Sequence, residues 1–301
     1  MLSYYLAYPV LYLISLLPLR VLYVFSSFFK FILFDCIGYR KKVILTNLRN
    51  SFPDKSEQEI QVIAQKFYQY FCDLVFEIVK SLSMSYKELN KRFTITDNVL
   101  NIFQSYADQQ QSVMVTIGHH GNWEWAGNAY SVRSPQTFYA IFRPLHNKGF
   151  NKIVEKVRTR FKTRLITDRD VVGAMRNVRN QQILSATVFL TDQTPSGKNM
   201  YWTKFLNQDT PVFWGPERIA RKFNYPIIFA DFVREKRGYY RAEAYVLVDD
   251  PQKYPEEGAI SELHTRAIEA AILSQPETWL WTHRRWKRKK PDHLPGHSGN
   301  N

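Results

Sequence analysis

A short apolar run followed directly by a polar turn constrains this sequence more than any other feature. Residues 113–117 (VMVTI) are apolar and largely β-branched, which predicts a buried strand, and residues 118–124 (GHHGNWE) come directly after it. The residues after them can open a helix. In open α/β sheets, polar turns at the carboxyl ends of strands usually carry the chemistry. The sequence therefore predicts a functional site at His119 and Glu124.

The spacing of His119 and Glu124 decides whether their side chains can contact each other. Two residues five apart on a regular helix point about 140° away from each other, at about 100° per residue. The pair can meet only if Gly121-Asn122 forms a turn before the helix begins. If it does, Glu124 is expected to fix the imidazole tautomer and to support the positive charge that His119 gains as a general base.

Strands and helices alternate along the rest of the chain. Expected strands cover 137–142, 164–166, 184–190, 226–233 and 239–248, and expected helices cover 56–82, 99–106, 147–161, 170–180, 211–223 and 256–273. Ser56 and Glu59 have the spacing of a capping box, and Asp170 is expected to cap the helix after it. This alternation predicts an α/β layered domain with a largely parallel central sheet flanked by helices.

Composition indicates the class of partner. Forty-one Lys and Arg against 27 Asp and Glu give a formal net charge of +14, which suits anionic membranes, nucleic acid or acidic proteins. Cys36 and Cys72 cannot make a disulfide framework, and both are expected to be buried thiols.

The amino terminus predicts a membrane anchor. Leu2 to Ile37 is apolar apart from Arg20, Lys30 and Asp35, and it exceeds the roughly 20 residues that a membrane helix needs. A cleaved signal peptide is disfavoured, since a basic start and an A-x-A-like site are missing. Pro18 interrupts the stretch, which could therefore form either one tilted membrane span or a pair of helices partly in the interface. A pair of helices buried in a soluble protein is the alternative. The basic residues 40–42 predict that the rest of the chain is cytoplasmic.

The His119-x₄-Glu124 block resembles the catalytic motif of the glycerolipid acyltransferase superfamily. With Gly-Asn-Trp inside it, the block is similar to that of the late lipid A biosynthesis acyltransferases (lauroyl and myristoyl transferases) and of related mannoside acyltransferases. Further matches occur in the same order, so that the resemblance runs from about residue 40 to 290: Phe142-Arg143-Pro144, Asp192-Gln193 with Pro195 and Gly197, Phe213-Trp214-Gly215-Pro216, and residues 276–285 (PETWLWTHRR).

The resemblance implies an activity and a location. It implies an O-acyltransferase on the cytoplasmic face of the inner membrane, moving a fatty acyl group from acyl carrier protein or acyl-CoA to a hydroxyl of a lipid A precursor. Residues 1–38 would anchor an acyltransferase domain at 39–290. The residues after Pro291 have little apolar content, so 291–301 are expected to form a disordered tail. Phospholipids, aminolipids and mannosides stay open as acceptors. No cofactor is expected, because the sequence has neither a phosphate loop nor metal-ligand spacing.

Acyl transfer to a hydroxyl needs a base, a positive group for the oxyanion, and orientation of both substrates. No serine or cysteine nucleophile accompanies the motif, so the hydroxyl is expected to attack directly, with His119 as base. The resemblance assigns the oxyanion to Arg158 and places Arg143 near the acceptor's phosphate or the reacting carbonyl. It also places Asp192 in the active site, where it could pair with either arginine. Asn122, Arg143 and Gln193 are the expected substrate contacts, and Asn122 with Trp123 is also expected to shape the turn and the pocket.

His120 is spaced i,i+4 from Glu124, which on a helix would suit a metal. The chain has no HExxH pattern and no third ligand at a recognisable spacing, so packing or substrate contact is expected, with no metal. Two other classes of function stay open. One is a metal-dependent hydrolase that uses His119, His120 and Glu124. The other is a non-catalytic protein that binds membrane or nucleic acid.

The carboxyl-terminal residues 279–290 interleave tryptophan with six Lys or Arg. Tryptophan favours the membrane interface and lysine favours anionic headgroups, so the block is expected to touch the membrane. Packing of Trp279 and Trp281 beneath the active site is the alternative. Nucleic-acid binding is disfavoured, because no helix-turn-helix, zinc or ribonucleoprotein pattern is present.

Overall fold

A computed structural model describes residues 1–196 and 200–291 of the chain. Its helices are α1 (Leu2–Leu16), α2 (Leu19–Lys30), α3 (Lys41–Ser51), α4 (Glu57–Lys80), α5 (Tyr86–Arg92), α6 (Asp97–Asp108), α7 (Trp123–Arg133), α8 (Lys148–Arg158), α9 (Val171–Asn180), α10 (Gly215–Phe223) and α11 (Ala259–Ser274). Its strands are β1 (Phe93–Ile95), β2 (Val113–Ile117), β3 (Thr137–Phe142), β4 (Arg164–Thr167), β5 (Ser185–Leu190), β6 (Met200–Phe205), β7 (Gln208–Phe213), β8 (Ile227–Lys236) and β9 (Tyr239–Val248).

The main sheet has seven strands in the order β1-β9-β8-β2-β5-β3-β4. All neighbouring pairs are parallel except β8 and β9, which run antiparallel. Helices flank the sheet, and every residue of the central strand β2 is buried. The expected α/β architecture with a largely parallel sheet is confirmed, and β2 delivers the turn at its end to the middle of the sheet's carboxyl edge.

Local signals placed several elements correctly. Strands β3 and β9 have the expected bounds. Ser56 and Glu59 form the capping box of α4, and Asp170 caps α9 by accepting from the Gly173 N–H at 2.9 Å. These signals depend on residues close in sequence, which is why the sequence alone reveals them.

The expected helix at 211–223 is wrong in its first part. Residues 208–213 form β7, which pairs antiparallel with β6, and the helix begins only at Gly215. Leu206 and Asn207 make the turn with φ of 49° and 64°. Two-residue hairpin turns with positive φ are usually signalled by Asn-Gly or Asp-Gly, and a leucine in that conformation is rare. The hairpin therefore has no recognisable turn signature.

The amino-terminal helices dock on α4. The Lys80 ammonium donates to the carbonyls of Ser15 and Leu17 at 3.0 and 3.1 Å, and Leu19 and Leu22 are buried in the core. Among the described residues, no single helix is long and apolar enough to cross a bilayer. Helix α2 continues as a π-helix over Phe31–Cys36. The stretch Leu19–Cys36 and α3 are bent by 87° relative to each other, and together they meet the length and composition requirements.

Two smaller expectations concern the cysteines and the tail. Cys72 is buried as expected, whereas Cys36 is exposed and its expected burial is wrong. Gly197 and the expected disordered tail, apart from Pro291, lie outside the described residues.

A buried carboxylate on α4 joins three parts of the fold. Glu77 accepts hydrogen bonds from the Tyr23 hydroxyl of α2 (2.8 Å), the Asn122 amide before α7 (2.7 Å) and the Tyr240 hydroxyl of β9 (2.8 Å). Burial raises the pKa of Glu77, against the opposing effects of Arg234 and of the hydroxyls of Tyr240 and Tyr23. The amino-terminal helices and the turn after β2 thus share one buried acceptor.

Lowering the pH is expected to destabilise the fold through His264 of α11, which is 1% exposed. Burial lowers the pKa of this imidazole from 6.5 to about 4, although the Glu217 carboxylate acts in the opposite direction. As the pH falls below about 6.5, the unfolded chain takes up this proton first, so the contribution of His264 to stability, complete above that pH, is lost progressively down to about pH 4. Between about pH 7.5 and pH 5 the loss is about 2 kcal/mol.

Urea unfolding of the wild type and of His264→Gln at several pH values measures this effect. The free energy of unfolding of the variant should fall less over that interval. Parallel pH dependence in the two proteins would contradict the prediction.

Candidate active site

The turns after β2 and β5 bring His119 and Asp192 together. Ile117 and Leu190 are register partners in adjacent parallel strands, so the turns at the ends of both strands meet at one edge of the sheet. Asp192 Oδ1 lies 2.7 Å from His119 Nδ1, and Asp192 Oδ2 accepts from the His119 backbone N–H at 2.8 Å. The Trp279 indole N–H donates to the same oxygen at 2.7 Å. Asp192 therefore fixes the imidazole ring.

The Asp192 carboxylate is held in its ionised form. Burial acts to raise its pKa, but the His119 charge, the two donors of His119 and the Trp279 N–H outweigh burial and lower the pKa. The Gln193 amide nitrogen lies 3.2 Å from His119 Nε2 and donates to it when that nitrogen carries no proton. This network assigns the proton to Nδ1 and leaves Nε2 as the basic nitrogen.

Glu124 does not orient His119, so that expectation is corrected. The carboxylate pairs instead with Arg158 at the end of α8, with Nε–Oε2 at 2.9 Å and Nη2–Oε1 at 2.5 Å. Helix α7 begins at Trp123, and the helical position of Glu124 presents its carboxylate to Arg158. Burial acts to raise the pKa of Glu124, but the Arg158 charge and hydrogen bonds outweigh burial and lower it.

The pairing of Asp192 with an arginine is likewise corrected. Arg158 is taken by Glu124, and Arg143 pairs with Asp168 at 2.6 Å. The Arg143 side chain is 65% exposed, whereas Arg158 is mostly buried with its carboxylate partner. Asp192 therefore contacts His119, whereas Arg158 pairs with Glu124 and Arg143 pairs with Asp168.

Asn122 supports the turn and is not a substrate contact in this structure. Its Oδ1 accepts from the Trp125 N–H at 2.9 Å as the cap of α7, and its amide donates to Glu77. The residue is fully buried, which corrects the expected substrate contact. The preceding Gly121 has φ +57°, and a Cβ there would collide with the Phe232 carbonyl, so only glycine fits.

His120 belongs to the packing around the site. Its Nδ1 lies 3.0 Å from Asp231 Oδ1, its Nε2 lies 2.8 Å from the Thr278 hydroxyl, and the side chain is buried. Within the described parts of the chain, no group of three or more His, Cys, Asp or Glu is arranged to hold a metal ion.

The tryptophans near the carboxyl terminus face the protein. Trp279 and Trp281 are fully buried and contact each other edge to face, with their ring centroids 4.6 Å apart. The expected membrane contact is wrong for these two residues, and the alternative, packing beneath the active site, is what the structure shows. Trp286 is half-buried and donates to the Thr210 hydroxyl at 2.7 Å.

A cleft of about 700 Å³ collects the charged groups, a size in the usual range for ligand sites. His119, Glu124, Arg143, Arg158 and Gln193 line it together with apolar residues of β5, α9 and α10. Most of the expected catalytic and substrate residues therefore stand around one space. Asp192 does not line the cleft, but it contacts His119, which does.

An apolar cavity lies beside the cleft, between α7 and the sheet. Its volume is about 70 Å³, and its lining includes Trp123, Gly127, Tyr130 and Phe138. Cleft and cavity share Glu124, Ile141, Arg158 and Leu190. The Glu124–Arg158 ion pair thus stands where the two spaces adjoin.

Sequence reasoning missed Trp279 as a partner of Asp192 and Glu77 as a partner of Asn122. Trp279 lies in a block that the resemblance singles out, but its contact depends on a chain separation of 87 residues. Glu77 carries one signal, since it is a carboxylate on the buried side of an amphipathic helix, and such residues are almost never buried without partners.

A histidine held by a carboxylate, an arginine held by a second carboxylate and an adjoining apolar cavity are compatible with acyl transfer, which needs a base, a positive group for the oxyanion and room for the acyl chain. A sequence model of the family described as bacterial lipid A biosynthesis acyltransferase matches residues 1–288. The chain belongs to this family and is an acyltransferase. The expected resemblance is confirmed.

Two relatives agree with this assignment. The lipid A biosynthesis palmitoleoyltransferase of Escherichia coli (strain K12) is 25% identical over 260 residues, covering 83% of this chain and 79% of the relative. The lipid A biosynthesis acyltransferase of Shigella flexneri has the same identity and coverage. The family supports acyl transfer to lipid A as the general activity.

Proposed function

We propose that this acyltransferase moves a fatty acyl group from a thioester, on acyl carrier protein or coenzyme A, to a hydroxyl of a lipid A precursor. The simplest acceptor is the hydroxyl of a 3-hydroxyacyl chain already attached to that lipid. The proposal depends above all on one observation: His119, fixed by Asp192, and Arg158, fixed by Glu124, line the same cleft beside an apolar cavity.

His119 acts as the general base in this proposal. The acceptor hydroxyl replaces the Gln193 amide at Nε2 and gives its proton to that nitrogen, while Asp192 stabilises the resulting imidazolium. The hydroxyl oxygen attacks the thioester carbonyl carbon. The tetrahedral intermediate collapses with cleavage of the carbon–sulfur bond, and the leaving thiolate takes up the proton from His119.

Arg158 stabilises the oxyanion of that intermediate. Glu124 holds the guanidinium through two of its nitrogens, so the positive charge is in position before the reaction begins. Preorganised charge of this kind needs no rearrangement when the oxyanion forms. Glu124 therefore contributes to catalysis through Arg158, as a positioning residue.

The apolar cavity receives the fatty chain. Its lining is mostly apolar, so a hydrocarbon chain inside it would be removed from water, which is favourable. The cavity adjoins the cleft at Arg158, so a chain bound inside it would have its thioester carbonyl near the reacting groups. The cleft on the other side, with the exposed Arg143, suits a phosphorylated acceptor.

The amino-terminal helices present an apolar surface that suits a membrane. Many of their large apolar side chains are exposed, including Leu2, Leu6, Val10, Leu13, Leu16, Val24, Phe25 and Phe28. Exposed apolar surface on this scale marks an interaction site, and a net charge of +14 favours anionic lipid and an acidic carrier protein. We place the enzyme on the cytoplasmic face of the inner membrane, where lipid acceptor and soluble donor meet.

If this protein is removed from the producing cell, one class of lipid is expected to carry one acyl group fewer. Mass spectrometry of total lipids with and without the protein measures this directly, and the mass difference gives the chain length. Wild-type protein should restore the missing group, and His119→Ala should not. A lipid A species one acyl group short supports the proposal. Loss of an acyl group from phospholipid, aminolipid or mannoside instead, or no change in acyl number, overturns the assigned acceptor.

A further inference from the structure

Gly127 stands in the interior of α7 without a backbone reason to be glycine. Its φ lies outside the left-handed region, and a Cβ built there would meet only Phe138 Cε1 at 3.5 Å, an ordinary contact. A helix-interior glycine destabilises a protein relative to alanine, because it loses more conformational freedom on folding. Some other requirement therefore favours glycine at this position.

Glycines in the next two helices differ from Gly127 in this respect. A Cβ at Gly149 of α8 would collide with Ser3 and with the Tyr4 backbone, and a Cβ at Gly173 of α9 would collide with the Asp170 cap. Both positions need glycine for close packing. Close packing does not explain Gly127, which leaves the space beside it as the explanation.

That space is the apolar cavity. Gly127 lies on the cavity face of α7 between Trp123 and Tyr130, four residues after one and three before the other. It comes one turn after Glu124, about 4.5 Å along the helix axis. The sheet opposite lines the cavity with large side chains such as Phe138 and Phe232, and with three alanines, Ala140, Ala230 and Ala242. Gly127 is the smallest residue of the lining, and it lies close to the junction of the cavity with the cleft.

We propose that Gly127 determines which fatty chains the enzyme accepts, by keeping the cavity wide enough for a long chain to pass beyond the Glu124–Arg158 pair. A side chain at this position would narrow the cavity near its entrance and favour shorter chains. This inference depends on the proposed function, since it assumes that the cavity holds the acyl chain.

A graded series, Gly127→Ala and Gly127→Val, tests the proposal in producing cells that lack the wild-type protein. Mass spectrometry of the cell lipids gives the lengths of the transferred chains. The ratio of long to short chains should fall with each increase in side-chain size, by at least about tenfold for Gly127→Val. The purified Gly127→Ala protein should have a Tm about 2 °C higher than the wild type, because alanine favours the helix.

Ala174→Val is the matched control, since it adds apolar bulk to α9 at a position that lines neither the cavity nor the cleft. It should leave the chain-length distribution unchanged. An unchanged distribution in Gly127→Val overturns the proposal, and so does equal loss of all chain lengths with a lowered Tm in Gly127→Ala. If wild-type protein restores an acyl group in the same cells, the proposed function stands whatever the glycine variants do. If the cells without the protein lack no acyl group, the proposed function fails first.

Discussion

Replacing His119 by alanine is expected to lower kcat by about 10³- to 10⁴-fold. Among the described residues that line the cleft, His119 is the one imidazole, and the carboxylates of Glu124 and Asp168 are each paired with an arginine. Asp192→Asn should cause a loss of similar order. An amide cannot stabilise the imidazolium as a carboxylate does, and its NH₂ can donate to Nδ1 and favour the wrong tautomer. Steady-state kinetics with acyl carrier protein and acyl-CoA donors measure both losses.

His120→Ala is the matched control for His119→Ala. It removes the bonds to Asp231 and Thr278, so the Tm should fall, but the kcat of the folded protein should stay within a few-fold of the wild type. Near-normal kcat in His119→Ala would remove the base from the proposed mechanism. A larger loss of kcat in His120→Ala than in His119→Ala would show that the base is assigned to the wrong histidine.

Replacing Arg158 by alanine is expected to lower kcat by about 10²- to 10³-fold while KM changes little, as for loss of one oxyanion donor. The interaction is made with charge that develops only during the reaction, which is why the effect falls on kcat. Arg158→Lys should recover part of the loss, since it restores charge but cannot reproduce the two-nitrogen contact with Glu124. Single-turnover measurements separate this effect from product release.

Two further variants locate the effect of Arg158. Glu124→Gln should lower kcat less than Arg158→Ala does, because the guanidinium stays in place but is held less firmly. Arg143→Ala, which removes the exposed arginine, should raise KM more than it lowers kcat. If Arg158→Ala raised KM and left kcat unchanged, the residue would bind the ground state and the oxyanion assignment would be wrong.

The fold could be predicted from the sequence to the extent that its signals are local. Alternating apolar runs and helix caps identified most elements and the sheet class. The hairpin of β6 and β7 was missed because Leu206 and Asn207 adopt positive φ without the usual glycine. Its strand β7 also contains Pro211, which ordinarily argues against a strand.

The sequence predicted which residues belong to the site but not which of them contact each other, because those contacts depend on the order of the strands in the sheet. His119 and Asp192 each come after a strand, but β3 and β4 separate those strands in sequence, and only the sheet makes β2 and β5 neighbours. Glu124 is closer to His119 along the chain, which made it the natural partner by spacing. Because the helix starts at Trp123, the Glu124 carboxylate points to Arg158 and pairs with it instead. Contacts between distant elements cannot be read from spacing alone.

Glu77 has a practical consequence for anyone who shortens the chain to obtain an easily handled catalytic fragment. Cutting away the first 38 residues would delete Tyr23, one of three donors to a carboxylate with no access to water, and would also remove Leu19 and Leu22 from the core. The same carboxylate steadies Asn122 at the start of α7, so the damage would extend to the segment that carries His119. The intact chain is therefore a better starting point for active protein than a truncated one.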